Sequence, residues 1–279
     1  MSGFDDWIGR VVSSEERIDL WPLAGLAAAL DLQDRPKHGD EILPLAHWLY
    51  FPPAVPQSRI GPDGHPQRGD FLPPVPQPRR MWAGSETKFI TPIAVGSLAR
   101  KTARIADISE KIGKTGPLIF VTVHNEYEID GHTALTETQS LVYRDDPAPG
   151  EAPPPAKPAP ANATWSVQHN PDPVLLFRYS AVTFNAHRIH YDEPYVTGVE
   201  GYPGIIVHGQ LTATLMLQAC LKANPGRRPA DFSFRAVKPL FSGEPFFVEG
   251  ASAGDETVFK LWARNMAGDL SMTAELKMA

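Results

Sequence analysis

The chain has little of what marks a secreted, membrane-spanning or nucleic-acid-binding protein. Its 279 residues include one cysteine, Cys220, so no disulfide can form within the chain, and a reducing compartment fits. No apolar run approaches the ~18 residues of a membrane span, and the start MSGFDDWIGRVV is too acidic for a secretory signal. The net charge is −6 and no basic tract is present, which disfavours a nucleic-acid partner. We therefore expect a cytoplasmic protein without a membrane or nucleic-acid partner.

Proline, in contrast, is abundant, and its distribution predicts where the domains end. Residues 145–164 lack large apolar side chains and contain seven prolines, which is typical of a semi-extended linker. The linker predicts an N-terminal domain at 1–144 and a C-terminal domain at 165–279.

Two patterns recur on either side of this linker. A pentapeptide from proline to glycine precedes strand-like runs at Pro92–Gly96 and again at Pro239–Gly243. A turn leading into an alternating final strand occurs at Asn125–Arg144 and again at Asn265–Met278. The recurrence indicates that both domains share one fold.

The segment Gly209–Ala223 predicts a buried helix. Its apolar residues fall on every face, so the helix needs protein all around it. The flanking segments Gly204–Val207 and Phe232–Phe234 are rich in β-branched and aromatic residues and predict strands. A helix enclosed by a curved antiparallel sheet fits this order. Gly209 would begin the helix, where N–H groups without intrahelical partners suit a developing oxyanion; a simple glycine at a helix start is the alternative.

The motif NAHRIH, before this helix, supplies a candidate base. Neutral imidazole can take a proton from water near neutral pH and an amide cannot, so His190 is the candidate base and Asn185 could only hold water or substrate. His187 and His208 fit structural roles. A metal site on His187 and His190, completed by His208 or Asp192, is the alternative. We do not expect a metal, because no further cluster with ligand spacing accompanies these residues.

The segment Tyr179–Thr212, YSAVTFNAHRIHYDEPYVTGVEGYPGIIVHGQLT, resembles the (R)-specific enoyl-thioester hydratases and dehydratases of the MaoC-like hot-dog family. In that family the pattern D-x-N-P-x-H is followed by HG and the central helix. The resemblance implies that His190 is catalytic and that Gly209 supplies the oxyanion contact. It also places Asn185 where the family has a catalytic aspartate, although type 2 3-hydroxyacyl-thioester dehydratases similarly carry T-F-N-x-H-x-I-H. The implied chemistry has His190 shuttle protons and Asn185 orient the water.

Three segments of the first half resemble one branch of this family, the mesaconyl-C4-CoA and itaconyl-CoA hydratases. They are HWLYFPPAVPQSRIGPDGHP (His47–Pro66), FLPPVPQPRRMWAG (Phe71–Gly84) and LIFVTVHNEYE (Leu118–Glu128). That branch hydrates branched C5-dicarboxyl thioesters. Asp63 and His65, within the first segment, are interpreted as loop or tunnel-lining residues.

The resemblance implies an α+β double hot dog, in which two curved antiparallel sheets, each wrapped around a helix, join side by side. The first unit would lack the histidine motif. The implied partner is an acyl-CoA substrate, with no cofactor besides the coenzyme A of that substrate. Pairing of two such protomers into a homodimer is also expected.

Coenzyme A carries phosphates, so basic residues are expected near the mouth of the site. The candidates are Arg79, Arg80, Arg227, Arg228 and Lys238. Arg80, after a rigid proline run, is our candidate for the free carboxylate of the substrate.

The sequence thus predicts an enzyme that reversibly hydrates an α,β-unsaturated acyl-CoA, with a branched C5-dicarboxyl thioester as substrate. Three alternatives remain open: a 3-hydroxyacyl-thioester dehydratase of fatty acid metabolism, an acyl-CoA thioesterase, and a non-catalytic acyl-CoA-binding protein. A thioesterase usually needs a carboxylate near the thioester, and the helix after Gly209 contains no Asp or Glu. A binding protein would not need His190, Asn185 and the helix-mouth glycine together.

Overall fold

A computed structural model describes residues 3–113, 116–146 and 155–279. Within these ranges the chain forms ten β-strands, all in one antiparallel sheet, and four α-helices. The strands are β1 (Val11–Arg17), β2 (Arg79–Phe89), β3 (Leu98–Gly113), β4 (Gly116–Ile129), β5 (His132–Arg144), β6 (Trp165–His169), β7 (Pro229–Ala236), β8 (Phe246–Ser252), β9 (Val258–Asn265) and β10 (Leu270–Met278). The helices are α1 (Leu20–Ala29), α2 (Pro173–Thr183), α3 (Glu193–Gly198) and α4 (Gly209–Ala223). No helix in these ranges is long and apolar enough to cross a membrane.

The order of the strands shows an internal repeat. From one edge to the other the sheet runs β1-β3-β4-β5-β2-β7-β10-β9-β8-β6, so each half has the same order counted outward from the centre. The halves join where β2 pairs with β7, from Gly84 opposite Arg235 to Lys88 opposite Asp231. The predicted α+β double hot-dog fold is confirmed. Of the predicted linker, residues 147–154 lie outside the described residues.

Helix α4 spans the predicted residues and occupies the interior of the second half. Every residue from Leu211 to Leu217 is buried, and the helix contacts β8, β9 and β10. The strand predicted at Phe232–Phe234 lies within β7.

The strand predicted at Gly204–Val207 is wrong, because this segment forms only one isolated bridge, between Ile206 and Phe241. Its backbone groups bind separate parts of the chain. The N–H of Ile206 donates to the carbonyl of Ile189, and the N–H of Val207 donates to the carbonyl of Leu240. The β-branched composition reflects burial between loops here, since no neighbouring strand continues the pairing.

The first half differs from the second in the segment that leads into β2. Between α1 and β2 the described residues contain no α-helix, only 3-10 helices at Ala46–Leu49 and Gln57–Arg59. This stretch is rich in proline, which lacks the N–H that a helix interior needs. The irregular chain leaves room for a cavity beside α4, and this cavity holds the candidate site.

Candidate active site

A cavity of about 870 Å³ is lined by both halves of the chain. The irregular segment before β2 and the face of β2 to β5 form one side, and the ends of α2, α4 and β7 form the other. The lining contains ten Phe, Tyr and Trp residues, among them Trp48, Trp82, Tyr127 and Phe234. The rings of Trp48 and Trp82 pack edge to face with centroids 5.3 Å apart. The cavity therefore offers an apolar wall to a ligand that both halves contact.

His190 lies at the end of a short 3-10 helix, Arg188–His190, that follows α2. Helix α2 ends because Phe184 adopts a left-handed conformation, which redirects the chain toward the cavity. The Nδ1 atom of His190 lies 2.8 Å from the carbonyl oxygen of Ile206. A carbonyl can only accept, so Nδ1 carries the proton and Nε2 keeps a lone pair. Burial lowers the pKa of His190 to about 4, so the imidazole is neutral at pH 7 and can act as a base.

A second histidine, His208, stacks against the ring of His190. The rings of His208 and His190 stack with centroids 3.7 Å apart and an interplanar angle of 18°. His208 is fully buried, and its Nε2 lies 2.8 Å from the hydroxyl of Ser180. Burial, together with the charges that His190 and His187 would carry, holds the pKa of His208 well below its usual value. His208 thus remains neutral and packs flat against the ring of His190.

Asn185 and Gly209 also line the cavity. The side-chain oxygen of Asn185 accepts a hydrogen bond from the backbone N–H of His187 at 3.0 Å. Its Nδ2 finds no acceptor among the described residues, so it remains able to donate to a ligand. Gly209 is the first residue of α4, so its N–H has no intrahelical acceptor. A Cβ at this position would meet only the terminal methyl of Met272, at 3.7 Å, so the space beside the Cα of Gly209 is nearly empty.

A pair of residues from the first half, interpreted from the sequence as loop or tunnel-lining residues without a chemical role, reaches the same site. His65 lines the cavity, and its ring centroid lies 4.0 Å from that of His187. The Nδ1 of His65 lies 2.9 Å from one carboxylate oxygen of Asp63, and its backbone N–H donates to the other at 3.0 Å. More than a hundred residues separate this pair from His187, and the pair carries no recognisable spacing. One sequence therefore gives no signal that they meet.

The metal site considered from the sequence, on His187 and His190 with His208 or Asp192, is not the group of potential ligands that the structure brings together. His190 and His208 are engaged by Ile206 and Ser180, and Asp192 pairs with Arg188. Instead, Asp63, His65 and His187 each bring one potential ligand atom within 4.8 Å of the others. Neighbouring ligands on a tetrahedral zinc lie about 3.3 Å apart when their bonds are ~2.0 Å. The 2.9 Å contact between Asp63 and His65 is shorter, as expected for a shared proton.

The structure places the five predicted basic residues in different surroundings. Arg80 and Lys238 line the cavity, and Lys238 also pairs with Asp269 at 2.6 Å. The other three lie outside the residues that line it. Arg79 is buried against Asp146 and Glu200, Arg228 pairs with Glu41, and Arg227 donates to the carbonyl of Glu256 while lining a separate cavity with Arg228.

The cavity that holds His190 is basic although the chain is acidic. Its lining contains seven cationic side chains and one carboxylate, that of Asp70. The cationic residues are Arg59, Arg68, Arg80, Lys101, Arg144, Arg235 and Lys238. This excess of positive charge favours an anionic ligand.

The lowered pKa values of the site histidines predict a loss of stability in acid. A histidine whose pKa is lower in the native state binds its proton more readily when unfolded, so its contribution is complete above pH 6.5 and is lost as the pH falls. For His190 the loss is roughly 3 kcal/mol by about pH 4, and His65, whose pKa burial also lowers to about 4, adds to it. Urea unfolding between pH 7 and pH 4.5 should show this slope. Replacing the exposed His132 with glutamine should leave the slope unchanged, and a flat profile would contradict the assignment.

Comparisons with known proteins find one family model and two relatives that match most of the chain. A protein-family model described as hydroxyacyl-thioester dehydratase type 2 matches residues 45–242. A mesaconyl-C(4)-CoA hydratase of Chloroflexus aurantiacus is 44% identical over 273 residues, which cover 97% of this chain and 96% of the relative. A mitochondrial hydroxyacyl-thioester dehydratase type 2 of Schizosaccharomyces pombe is 25% identical over 253 residues, covering 80% of this chain and 81% of the relative. A solved protein from Mycobacterium tuberculosis described as having a double hotdog fold superposes with a TM-score of 0.54 and 15% identity, covering 99% of this chain and 98% of that one.

Proposed function

Because the chain belongs to the hydroxyacyl-thioester dehydratase type 2 family, we propose that it reversibly adds water to the C2=C3 double bond of an α,β-unsaturated acyl-CoA. The substrate we propose is a branched C5-dicarboxyl thioester, mesaconyl-C4-CoA or itaconyl-CoA. The observation that carries the proposal is the neutral imidazole of His190, facing a cavity that also holds the free amide of Gly209. The name of the 44% identical relative supports the acyl group.

The proposed reaction assigns one task to each of three residues. The thioester carbonyl accepts a hydrogen bond from the N–H of Gly209, which stabilises the enolate that forms as water adds; one such donor is typically worth ~3 kcal/mol. The Nε2 of His190 takes a proton from the water as its oxygen bonds C3. The Nδ2 of Asn185 donates to that oxygen and fixes its position. Addition of water changes no oxidation state, so we propose that no cofactor is needed besides the coenzyme A of the substrate.

The charge of the cavity supports an acyl-CoA with a second negative group. The phosphates of coenzyme A and a free carboxylate both need cationic partners, and five of the seven cations in the lining form no ion pair with a described carboxylate. Arg80 lies on β2 in the middle of the sheet and lines the same cavity as His65 and His187. No carboxylate among the described residues forms an ion pair with Arg80. We propose that Arg80 binds the carboxylate of the substrate.

Replacing Arg80 with alanine tests this assignment. A charge-assisted hydrogen bond contributes about 1.5–3 kcal/mol, so KM for mesaconyl-C4-CoA should rise roughly 10- to 100-fold. KM for crotonyl-CoA, which lacks the second carboxylate, should change little. Steady-state kinetics on both substrates measure the difference, with Arg80→Lys as the variant that keeps the charge. An equal rise for both substrates would mean that Arg80 does not bind the carboxylate.

The reaction and the acyl group are tested together by one assay. Purified protein is mixed with mesaconyl-C4-CoA, itaconyl-CoA or crotonyl-CoA, and loss of the enoyl thioester is followed by ultraviolet absorbance while free thiol is titrated. Loss of the double bond without thiol supports a hydratase and ranks its substrates. Release of free thiol would show that the protein hydrolyses the thioester and is a thioesterase. No change with any of the three would contradict the proposal and favour a binding role.

A second candidate substrate is a 3-hydroxyacyl thioester of fatty acid metabolism. The family match and the 25% identical relative favour it, and the aromatic wall of the cavity suits an apolar chain. The same assay separates the two candidates, because a fatty acid enzyme would prefer crotonyl-CoA to both dicarboxyl substrates.

We also propose that two protomers form a homodimer. Four large apolar side chains on the adjacent helices α1 and α2 are exposed, namely Leu20, Trp21, Val174 and Phe177. Analytical ultracentrifugation tests the pairing, and a monomer at assay concentrations would contradict it.

A further inference from the structure

The loop that carries Asp63 and His65 is fixed to the loop of the other half that runs from Asn185 to His190. The backbone N–H of Arg188 donates to the carbonyl of Asp63 at 2.9 Å, and the guanidinium of Arg188 donates to the carbonyl of Pro62 at 2.9 Å. Gly64 approaches Ala186 so closely that a Cβ would lie 1.8 Å from its carbonyl oxygen. His65 is therefore held beside His187 by backbone contacts.

The rings of three cavity-lining histidines lie close together, with His187 next to both of the others. The centroids of His65 and His187 are 4.0 Å apart, and those of His187 and His190 are 5.6 Å apart. His65 also lies near enough for its charge to lower the pKa of His190. His65 and His190 both line the cavity proposed for the acyl group, and each has one ring nitrogen that forms no hydrogen bond with a described residue.

Hydration moves two protons: one leaves the water that attacks C3 and one arrives at C2. We propose that His65, oriented by Asp63, is the group that exchanges the proton at C2, while His190 serves the water. This inference rests on the proposed hydratase function and adds a second proton-transfer residue to it. Asn185 cannot fill this role, because an amide does not exchange protons at these pH values.

The contacts of His65 suit this task. Asp63 engages Nδ1, so Nε2 is the nitrogen left for a ligand. Burial raises the pKa of Asp63, but the hydrogen bonds and charge of His65 outweigh it and keep this pKa below its usual range, so the carboxylate stays ionised. A carboxylate on Nδ1 stabilises the imidazolium that forms when Nε2 takes a proton, as in other His–Asp pairs. Asp63 acts through His65 and is a positioning residue.

The step balances in either direction. In dehydration, Nε2 of His65 takes the proton from C2, and the C–H electron pair forms the enolate whose oxygen the amide of Gly209 holds. The enolate then forms the C2=C3 bond, the C3–O bond breaks, and the leaving hydroxide takes a proton from Nε2 of His190. Because Nε2 is unprotonated in the empty site, His190 must first take this proton from cavity water once the anionic substrate is bound. Hydration reverses each transfer, and cavity water returns the proton from one histidine to the other. Burial lowers the pKa of both histidines in the empty cavity, and an anionic substrate beside them raises both.

Isotope exchange into the hydrated acyl-CoA separates the two proton transfers. The protein is incubated with this product in D2O, and separately in water labelled with 18O, and the gain of deuterium at C2 and of 18O at C3 is measured by mass spectrometry. His190→Gln should lose the exchange at C3 and retain exchange at C2. Adding His65→Gln to His190→Gln should lower the remaining exchange at C2 by about 10²- to 10⁴-fold. Adding Asp63→Asn instead should give a smaller loss of the same kind, and adding the exposed His132→Gln should give none.

Two outcomes would overturn the inference. One is loss of both exchanges in His190→Gln, because His190 would then serve both positions. The other is exchange at C2 that survives in the double variant with His65→Gln. If the unaltered protein exchanges neither position of any offered hydroxyacyl-CoA, the proposed function itself fails, and this result is distinct from both.

Discussion

Replacing His190 with glutamine should lower kcat for hydration by roughly 10²- to 10⁴-fold, the range for loss of one acid–base group. The Nδ1 of His190 is fixed on the carbonyl of Ile206, so Nε2 alone faces the water, and glutamine has no group that takes a proton there. KM should stay near its original value, because the neutral ring contributes no charge to acyl-CoA binding. Stopped-flow and steady-state assays with the best of the three acyl-CoA substrates measure both constants.

The matched control for this variant is His169→Gln. His169 is half-buried, and burial lowers its pKa as it does that of His190, but it lies on the edge strand β6 and does not line the cavity. It should keep full activity. If His190→Gln retained most of its kcat, or if both variants lost activity alike, His190 would not be the base.

Replacing Gly64 with alanine should nearly abolish activity by displacing the loop from Asn185 to His190. Gly64 has a φ of +91°, and its Cβ would lie 1.8 Å from the carbonyl oxygen of Ala186. That oxygen belongs to the backbone between Asn185 and His187, so the clash can only be relieved by moving the loop or its partner. A misplacement of about 1 Å can cost ~10²-fold in rate.

The control for backbone strain is Gly39→Ala. Gly39 has a nearly identical φ of +88°, but nothing lies within 4 Å of its Cβ position. This variant should lose about 1 kcal/mol of unfolding free energy, since alanine disfavours this conformation, and should keep its kcat. Urea unfolding and kcat/KM measure the two effects separately. Equal losses of activity in both variants would show that strain, and not the contact between the two halves, explains the result.

The parts of the site that the sequence predicts are those encoded by local patterns. The continuous apolar composition of α4 predicts its limits at Gly209 and Ala223, and the motif NAHRIH singles out Asn185 and His190, which both line the cavity. Both depend on residues that are neighbours in the chain. Periodicity and turn chemistry are strongest over such distances.

The parts that the sequence did not predict depend on contacts between distant segments. Asp63 and His65 reach the site because an irregular loop of the first half binds the backbone of Arg188 in the second. Arg79 and Arg228 resemble Arg80 in type but are turned toward carboxylates away from the cavity. The direction of a side chain on a strand and the partner of a surface charge are set by the tertiary structure.

The two halves share one strand order but contribute different parts of the cavity. The second half keeps the central helix and its amide at Gly209, whereas the first half has irregular, proline-rich chain before β2. That change opens the cavity and brings in aromatic and basic residues, among them Trp48, Arg68 and Arg80. In the proposed reaction, the second half supplies His190 and Gly209, and the first half supplies His65 and most of the cationic residues that line the cavity.

The most direct test of the proposed chemistry is the fate of the acyl-CoA in water labelled with 18O. Protein and mesaconyl-C4-CoA are mixed in this water, the reaction is quenched within a few turnovers, and the thioester is analysed by mass spectrometry. A hydratase predicts an intact thioester that has gained one labelled water, with the label on the C3 hydroxyl and no free thiol. Free coenzyme A together with a labelled carboxylic acid would contradict the account, because the water would then have attacked the thioester carbonyl and not the double bond.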